Sequence, residues 1–202
     1  KDAIGIIFCD HNCRLIGYGR KLDQLSKKHL SNTINNDESF KNRKSKNFDY
    51  LITHRPPNLS LSKLYIFKLK NIKNDSNRDF QILGGNLLSL INFYKEHNVI
   101  IYPDGVNSSK LSFVNSTSEI LLGLLLASYK FTKYFSKIDK KKISKKAKIK
   151  VYSSQYTRLE KSHETVKAIH DGVTMTRNLV TEPPNIMTPP ELAKNAASLE
   201  KV

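Results

Sequence analysis

The sequence predicts an α/β fold: a mixed sheet of about six strands with helices on both faces, a size ordinary for one domain. Three observations lead there. Short β-branched runs alternate with longer segments whose apolar residues recur at helical spacing. Hydrophobic residues make up 39% of the 202 positions and gather in runs, which is enough for a core and argues against disorder. After residue 152 the alternation gives way to one long helical pattern. The expected organisation is therefore an α/β domain over residues 1–152 and a bridging helix with a further segment over residues 153–202.

Taken in order, Ala3 to Phe8 is a compact β-branched run and reads as a buried strand. Lys21 to Leu30 places Leu22, Leu25 and Leu30 near helical spacing. Ser31 to Asn47 is rich in Asn and Lys and reads as a surface loop. Phe48 to Thr53 is a strand, and Pro56 and Pro57 break the chain after it. Leu64 to Leu69 is the next strand. Arg78 to His97 has Phe80, Leu83, Leu87, Leu90, Ile91 and Tyr94 on one helical stripe, with Gly84 and Gly85 inside it. Glycine in a helix costs roughly 1 kcal/mol relative to alanine, so close packing of this helix on the sheet is expected there. Asn98 to Tyr102 is a strand closed by the turn sequence Pro103-Asp104-Gly105. Thr117 to Phe135 keeps helical period through Ile120, Leu121, Leu124, Leu125, Ser128 and Phe131, and Ile149 to Tyr152 is a last short strand.

From Gln155 to Val180 one helical pattern runs through Leu159, Val166, Ile169, Val173 and Leu179. At roughly 1.5 Å per residue such a helix outreaches a small domain, and the expectation is that it bridges two bodies. Glu182 to Asn185 breaks it. A new helix start follows: Thr188 as cap, Pro189 at the first position, Glu191 completing a capping box, and Met187 stapling to Leu192. A bridging helix and a well-made helix start at the end of the sequence read as part of a longer protein.

The formal net charge of +16 makes acidic partners plausible, nucleic acid first and anionic membrane second. An A/T-rich coding sequence, which favours Lys, Asn and Ile, explains the same composition without a partner. Two cysteines, Cys9 and Cys13, are too few for a disulfide framework. Nothing resembles a signal peptide, and the longest apolar stretch, Ile120 to Ala127, falls far short of the ~20 residues of a membrane span. A cytoplasmic, reduced location with no membrane contact is expected.

Three places in the sequence invite a chemical reading. His163-Glu164 begins like a zinc-peptidase HExxH, but Lys167 stands where the second imidazole must be, and His170 is too far along. Cys9, His11 and Cys13 lack a fourth ligand nearby. No GxGxxG, GK[ST] or GxSxG occurs. The lysines of residues 133–150, densest at Lys140, Lys141, Lys142, Lys145 and Lys146, could track DNA phosphates with Tyr134 and Tyr152 nearby to stack. A solvated loop is the reading we favour for them, since lysines also protect an edge strand from pairing.

The stretch from Asp171 to Ala193 resembles the segment that opens the catalytic domain of leucyl aminopeptidases, G-V-x-x-A-R-D-L-V-N-x-P-x-N-x-x-T-P-x-x-L-A. Gly172, Val173, Arg177, Leu179, Val180, Pro183, Asn185, Thr188, Pro189, Leu192 and Ala193 match it, while Thr176, Asn178 and Thr181 depart from it. Glu119 to Tyr134 is similar to the family's E-G-x-x-L-x-x-Y-x-F-x-x-Y helix, and Arg78 to Leu90 to its R-x-x-G helix. The resemblance covers the second half of the chain. It implies a macro-domain-like N-terminal α/β domain ahead of a catalytic domain that uses two divalent metal ions, zinc, manganese or magnesium, to hydrolyse N-terminal residues, preferably leucine, from peptides. It implies a homo-hexamer, and a chain that docks on its own C-terminal catalytic domain. The family's V-G-K-G, D-S-G-G and N-T-D-A-E-G-R motifs are absent here, so no catalytic or metal-binding residue is assigned, and this chain alone is expected to be inactive. A basic nucleic-acid-binding module and a macro-like domain for an ADP-ribose-type ligand, with Gly84, Gly85, Asp104 and Gly105 as its weak candidates, are the alternatives.

Overall fold

The computed structural model describes residues 3–42, 49–69, 76–136 and 146–201. Among these, five strands form one mixed sheet in the order β2-β3-β1-β4-β5: β1 Ile4–Cys9, β2 Asp49–His54, β3 Lys63–Lys68, β4 Asn98–Ile101 and β5 Lys148–Val151. All five coincide with strands placed from the sequence, one fewer than the expected total. β1 lies at the centre, parallel to β3 and β4, with β5 parallel to β4 and β2 antiparallel to β3.

Period-two alternation sorts the apolar residues of β1 to opposite faces. Ile4, Ile6 and Phe8 join Tyr65, Phe67, Val99 and Ile101 on the first face. Two helices cover it, α4 (Asn77–Phe93) through Phe80, Leu87 and Ile91, and α5 (Phe113–Ala127) through Ile120 and Leu124. On the second face Ile7, Cys9, Leu64 and Ile66 pack under α1 (Tyr18–Leu25), α2 (His29–Asn36) and α3 (Glu38–Asn42). The parallel strands are buried on both sides, which is why β1 reads as an unbroken apolar run.

Residues 31–36 and 38–42 are helical rather than looped, with Asp37 between the two helices. The helices rest on three fully buried side chains, Leu30, Ile34 and Phe40, each removing about 1.5–3 kcal/mol of apolar surface from water. Polar anchors complete them: the Asp23 carboxylate accepts from the Ser31 N–H at 2.9 Å, and Asp37 from the Phe40 N–H at 2.8 Å. So sparse a stripe is hidden by its Asn and Lys neighbours. The rest of that loop expectation, 43–47, lies outside the described residues. The helix expected over Lys21 to Leu30 is broken after Leu25, because Lys27 and Lys28 adopt φ of 55° and 60° and turn the chain.

α4 begins at a box in which the Asp79 carboxylate accepts from the Ser76 N–H at 3.2 Å and hydroxyl at 2.9 Å. Its glycines face α5, not the sheet. A Cβ on Gly84 would lie 2.0 Å from the Ile120 carbonyl oxygen, and one on Gly123 of α5 would lie 2.0 Å from that of Gln81. The two backbones thus touch reciprocally. α5 stops at Ala127, well before Phe135; Ser128 turns the chain into an irregular strap over residues 129–136. The Pro103-Asp104-Gly105 turn forms as read, closed by the Val106 N–H on the Pro103 carbonyl at 2.9 Å with Gly105 at φ 87°.

The long helix, α6, spans Tyr156–Thr181 and lies along α5; after the turn at Pro183, α7 spans Pro189–Ala197 and is followed by a short 3₁₀ turn, Ser198–Lys201.

Candidate functional site

Four places were singled out by the sequence, and each resolves differently. At the C-terminal ends of the strands, the chain leaves β1 toward one face and β4 toward the other. Open α/β sheets commonly bind ligands at such a point. Here the two loops close on each other: a Cβ on Gly17, at φ 51°, would fall 1.5 Å from the Asp104 carbonyl oxygen. The Asp104 carboxylate accepts from the Ser153 hydroxyl at 2.5 Å and the Ser154 N–H at 3.0 Å. Asp104 and Gly105 thus hold the end of β5 to the loop after β4, and Gly84 and Gly85 lie against or beside α5. Neither pair forms a phosphate loop.

Cys9 is a buried member of the second core, where burial first, and then Cys13, push its thiol up from the ordinary range. Such a thiol is inert. Cys13 sits at φ 63° in the tight turn after β1. His163 and Lys167 are exposed on α6, whereas His170 hydrogen-bonds Asp171 and Thr174 on its own helix. Among the described residues no three His, Cys, Asp or Glu side chains are grouped so that they could hold a metal ion. Of the densest lysines, Lys140, Lys141, Lys142 and Lys145 lie outside the described residues, and Lys146 is exposed.

The most developed surface is built by α6 and α7. One side of α6 is pinned to α5 and its strap by polar contacts. Ser118 and Ser162 share a hydrogen bond at 2.7 Å, the Arg177 guanidinium donates to the Leu126 carbonyl at 2.7 Å and stacks 5.4 Å over the Tyr129 ring, and the Tyr129 hydroxyl donates to Asn178 at 3.0 Å. The Glu182 carboxylate closes the end, accepting from Lys133 at 2.5 Å and from the Tyr134 hydroxyl. Those two hydrogen bonds hold the Glu182 carboxyl below the usual carboxylate range.

Hydrophobic packing in α6 is thin by comparison: only Leu159 and Val166 are buried. Between α5, β5 and the first half of α6 lies a cleft of about 380 Å³, lined by Leu121, Leu125, Ile149, Val151, Tyr156 and Leu159 among others. Beyond it Ile169, Val180, Ile186, Leu192 and Leu199 are exposed, Val180 at 80%, and α7 buries no residue. Pro189 takes the first turn of α7 as read, but the Thr188 side chain makes no cap bond. Glu191 instead faces Lys194 at 3.7 Å, so the expected capping box is not formed. Sequence reading missed the clamp of Lys133, Tyr134 and Glu182, because it carried α5 straight through the strap. The signal available was the cluster of Tyr129, Lys133 and Tyr134 just past the last regular turn.

No family model matches the chain. Curated relatives do. It is 28% identical over 149 residues, 73% of this chain and 29% of the relative, to "Probable cytosol aminopeptidase" of Rhizobium leguminosarum bv. trifolii. It is 35% identical over 114 residues, 54% of this chain and 22% of the relative, to the protein of the same name from Agrobacterium fabrum. The chain thus spans less than a third of the length of the curated relatives it matches. Among solved structures, a mutant tomato leucine aminopeptidase superposes with a TM-score of 0.66 at 19% identity, over 99% of this chain and 39% of that one. The bottromycin maturation enzyme BotP superposes with a TM-score of 0.62 at 12% identity, over 98% of this chain and 37% of that one. The fold is therefore shared with both of these structures, and the resemblance read from Asp171 to Ala193 agrees with the names of the curated relatives. No helix among the described residues is long and apolar enough to cross a membrane.

Proposed function

We propose, starting from its homology to proteins named cytosol aminopeptidase, that this chain is the N-terminal, non-catalytic region of a leucyl aminopeptidase. On this reading the complete protein is a cytoplasmic hydrolase that removes N-terminal residues, preferably leucine, from peptides. Two divalent ions held by a separate C-terminal domain would polarise the scissile carbonyl and activate the attacking water. BotP has been solved in complex with Mn, which supports metal use in a protein of this fold. A homo-hexameric assembly and docking on the chain's own catalytic domain complete the proposal.

The observation that carries it is the coincidence of two features on one segment. Residues 171–193 hold the family-like pattern, and they also carry apolar side chains that this body leaves in water, Val180 and Leu192 among them. A surface helix stable in isolation points such residues at a core. Here the pinned side faces α5, and the apolar residues remain for a second body. Arg177, one of the matching positions, serves the pinned side.

The test is an assay with leucine p-nitroanilide and added manganese. The purified chain should show no turnover. Joined in frame to the remaining two-thirds of a curated relative, it should form a stable, active protein, and Val180→Glu should impair that assembly. Metal-dependent turnover that follows the chain alone through purification would overturn the reading.

A further inference from the structure

Among the described residues the core on the second face of the sheet draws on β1, β2 and β3 with α1, α2 and α3, and includes no residue of β4 or β5. The register makes clear what is left open. Val99, Ile101 and Ile149 point into the first core, so Asn98, Ile100 and Tyr102 of β4 and its loop, and Lys148, Lys150 and Tyr152 of β5 and its loop, share the opposite face. An open groove of about 250 Å³ lies there, lined by Ala3, Asn98, Val99, Ile100, Lys148 and Lys150. Lys148 and Lys150 are exposed and have no acidic partner within ion-pair distance among the described residues.

Just past the C-terminal ends of β4 and β5, Tyr102 and Tyr152 meet Tyr18 of α1. Tyr18 stacks on Tyr102 at 5.2 Å with rings 4° apart, and Tyr152 meets Tyr18 edge-on at 4.9 Å and Tyr102 at 5.6 Å. Tyr152 keeps 50% of its surface in water, and Lys21 lies 5.3 Å over the Tyr18 ring. Two cations and an exposed ring thus succeed one another along one strand at positions 148, 150 and 152, on a chain of net charge +16. A phosphate backbone with unstacked bases matches that order of groups: lysines for the phosphates, a ring for a base. A duplex does not, because its bases are already stacked. A second copy of this chain would bring lysine against lysine. Asn98, opposite Lys148 in the register, adds a carboxamide that can both donate to and accept from a ribose 2′-hydroxyl.

We propose that the open half of the second sheet face, formed by Asn98, Lys148, Lys150 and Tyr152, is a binding site for single-stranded RNA. It is independent of the aminopeptidase reading and lies on a different face from α6. The experiment is fluorescence anisotropy of the whole chain with a labelled oligouridine of roughly ten nucleotides, a length within the span of such platforms. Tyr152→Ala should weaken binding by about tenfold, the effect of one lost base stack, and Tyr152→Phe should restore it. Lys148→Ala with Lys150→Ala should flatten the slope of log K against log salt by roughly 1.4, from two phosphate contacts on a single strand. Both lysines are exposed, so this variant keeps its fold. The control pair Lys161→Ala with Lys167→Ala, exposed on α6, carries the same charge change and should leave the slope nearly intact. Equal loss in the control pair, equal affinity for duplex RNA or for oligodeoxythymidine, or indifference to Tyr152→Ala would each overturn the proposal. So would a dimer formed without RNA and broken by Lys148→Glu.

Discussion

Helix α5 is held on its two sides by different physics. Toward α4 it offers Gly123 and receives Gly84, and each glycine meets the other helix's carbonyl oxygens at a distance no side chain tolerates. Toward α6 it offers a serine hydroxyl, a terminal carbonyl and a strap of Tyr129, Lys133 and Tyr134, with two buried residues of α6 beneath them. The first interface excludes water and is fixed by shape. The second is directional and polar, and leaves Ile169, Val180, Ile186, Leu192 and Leu199 exposed beyond it. An interface of the first kind belongs to a folding unit, and one of the second kind fixes the direction in which an arm leaves it.

The sharpest way to break this contrast is at the glycines. Gly84→Ala places a methyl against the Ile120 carbonyl and the Leu124 N–H, both backbone atoms that cannot rotate away. A loss of about 3–5 kcal/mol in urea unfolding is expected, at the upper end for single substitutions. Its neighbour sharpens the point. A Cβ on Gly85 meets only Ala127 at 3.8 Å, so Gly85→Ala should stabilise the chain by up to ~1 kcal/mol through helix propensity. Equal effects at the two glycines would dissolve the shape argument.

Comparable in size is Phe40→Ala, expected to cost about 3–5 kcal/mol if α3 is part of the core and little if it is a surface turn. This position marks where the sequence was hard to read. The strands were legible because β-branched runs buried on both faces have no other explanation. Helices α4 and α6 were legible from long apolar stripes. Over residues 31–42 only Ile34 and Phe40 are buried, separated by more than one turn, so composition outweighed periodicity. Likewise Ser128 and Phe131 kept helical spacing past the true end of α5, while the strap residues that reach α6 and Glu182 are Tyr129, Lys133 and Tyr134. Of the candidate surface, the segment from Asp171 to Ala193 was legible as a motif. Its pairing partners were not, since the contacts of Arg177 and Glu182 span about fifty residues of sequence.

Smaller effects separate body from arm by pH. The Tyr65 phenol is buried and donates to Glu96 at 2.9 Å; burial first, then Glu96, push its ionisation upward. A phenol whose folded pKa is raised contributes stability that is full below its unfolded value of about 10 and is lost as pH rises toward the folded value. The melting temperature should therefore fall above about pH 10, and Tyr65→Phe should flatten that fall. For Glu182 the sign is opposite. A carboxyl held low contributes above its unfolded pKa and loses that contribution as pH falls through the folded value, so acid should release the strap while the sheet is still folded. The smallest effect of all is expected from Val180→Ser in this chain alone, within about 0.5 kcal/mol, because the residue is 80% exposed.

Amide hydrogen exchange read by mass spectrometry on the chain alone tests the central claim most directly, because it reports local opening segment by segment. The account predicts one slow-exchanging unit comprising β1, β3, α4 and the first turns of α5, with residues 171–181 of α6 and 189–197 of α7 exchanging far faster although they too are helical. Protection over residues 171–197 equal to that of α4 would contradict it, showing an arm already packed and needing no second body.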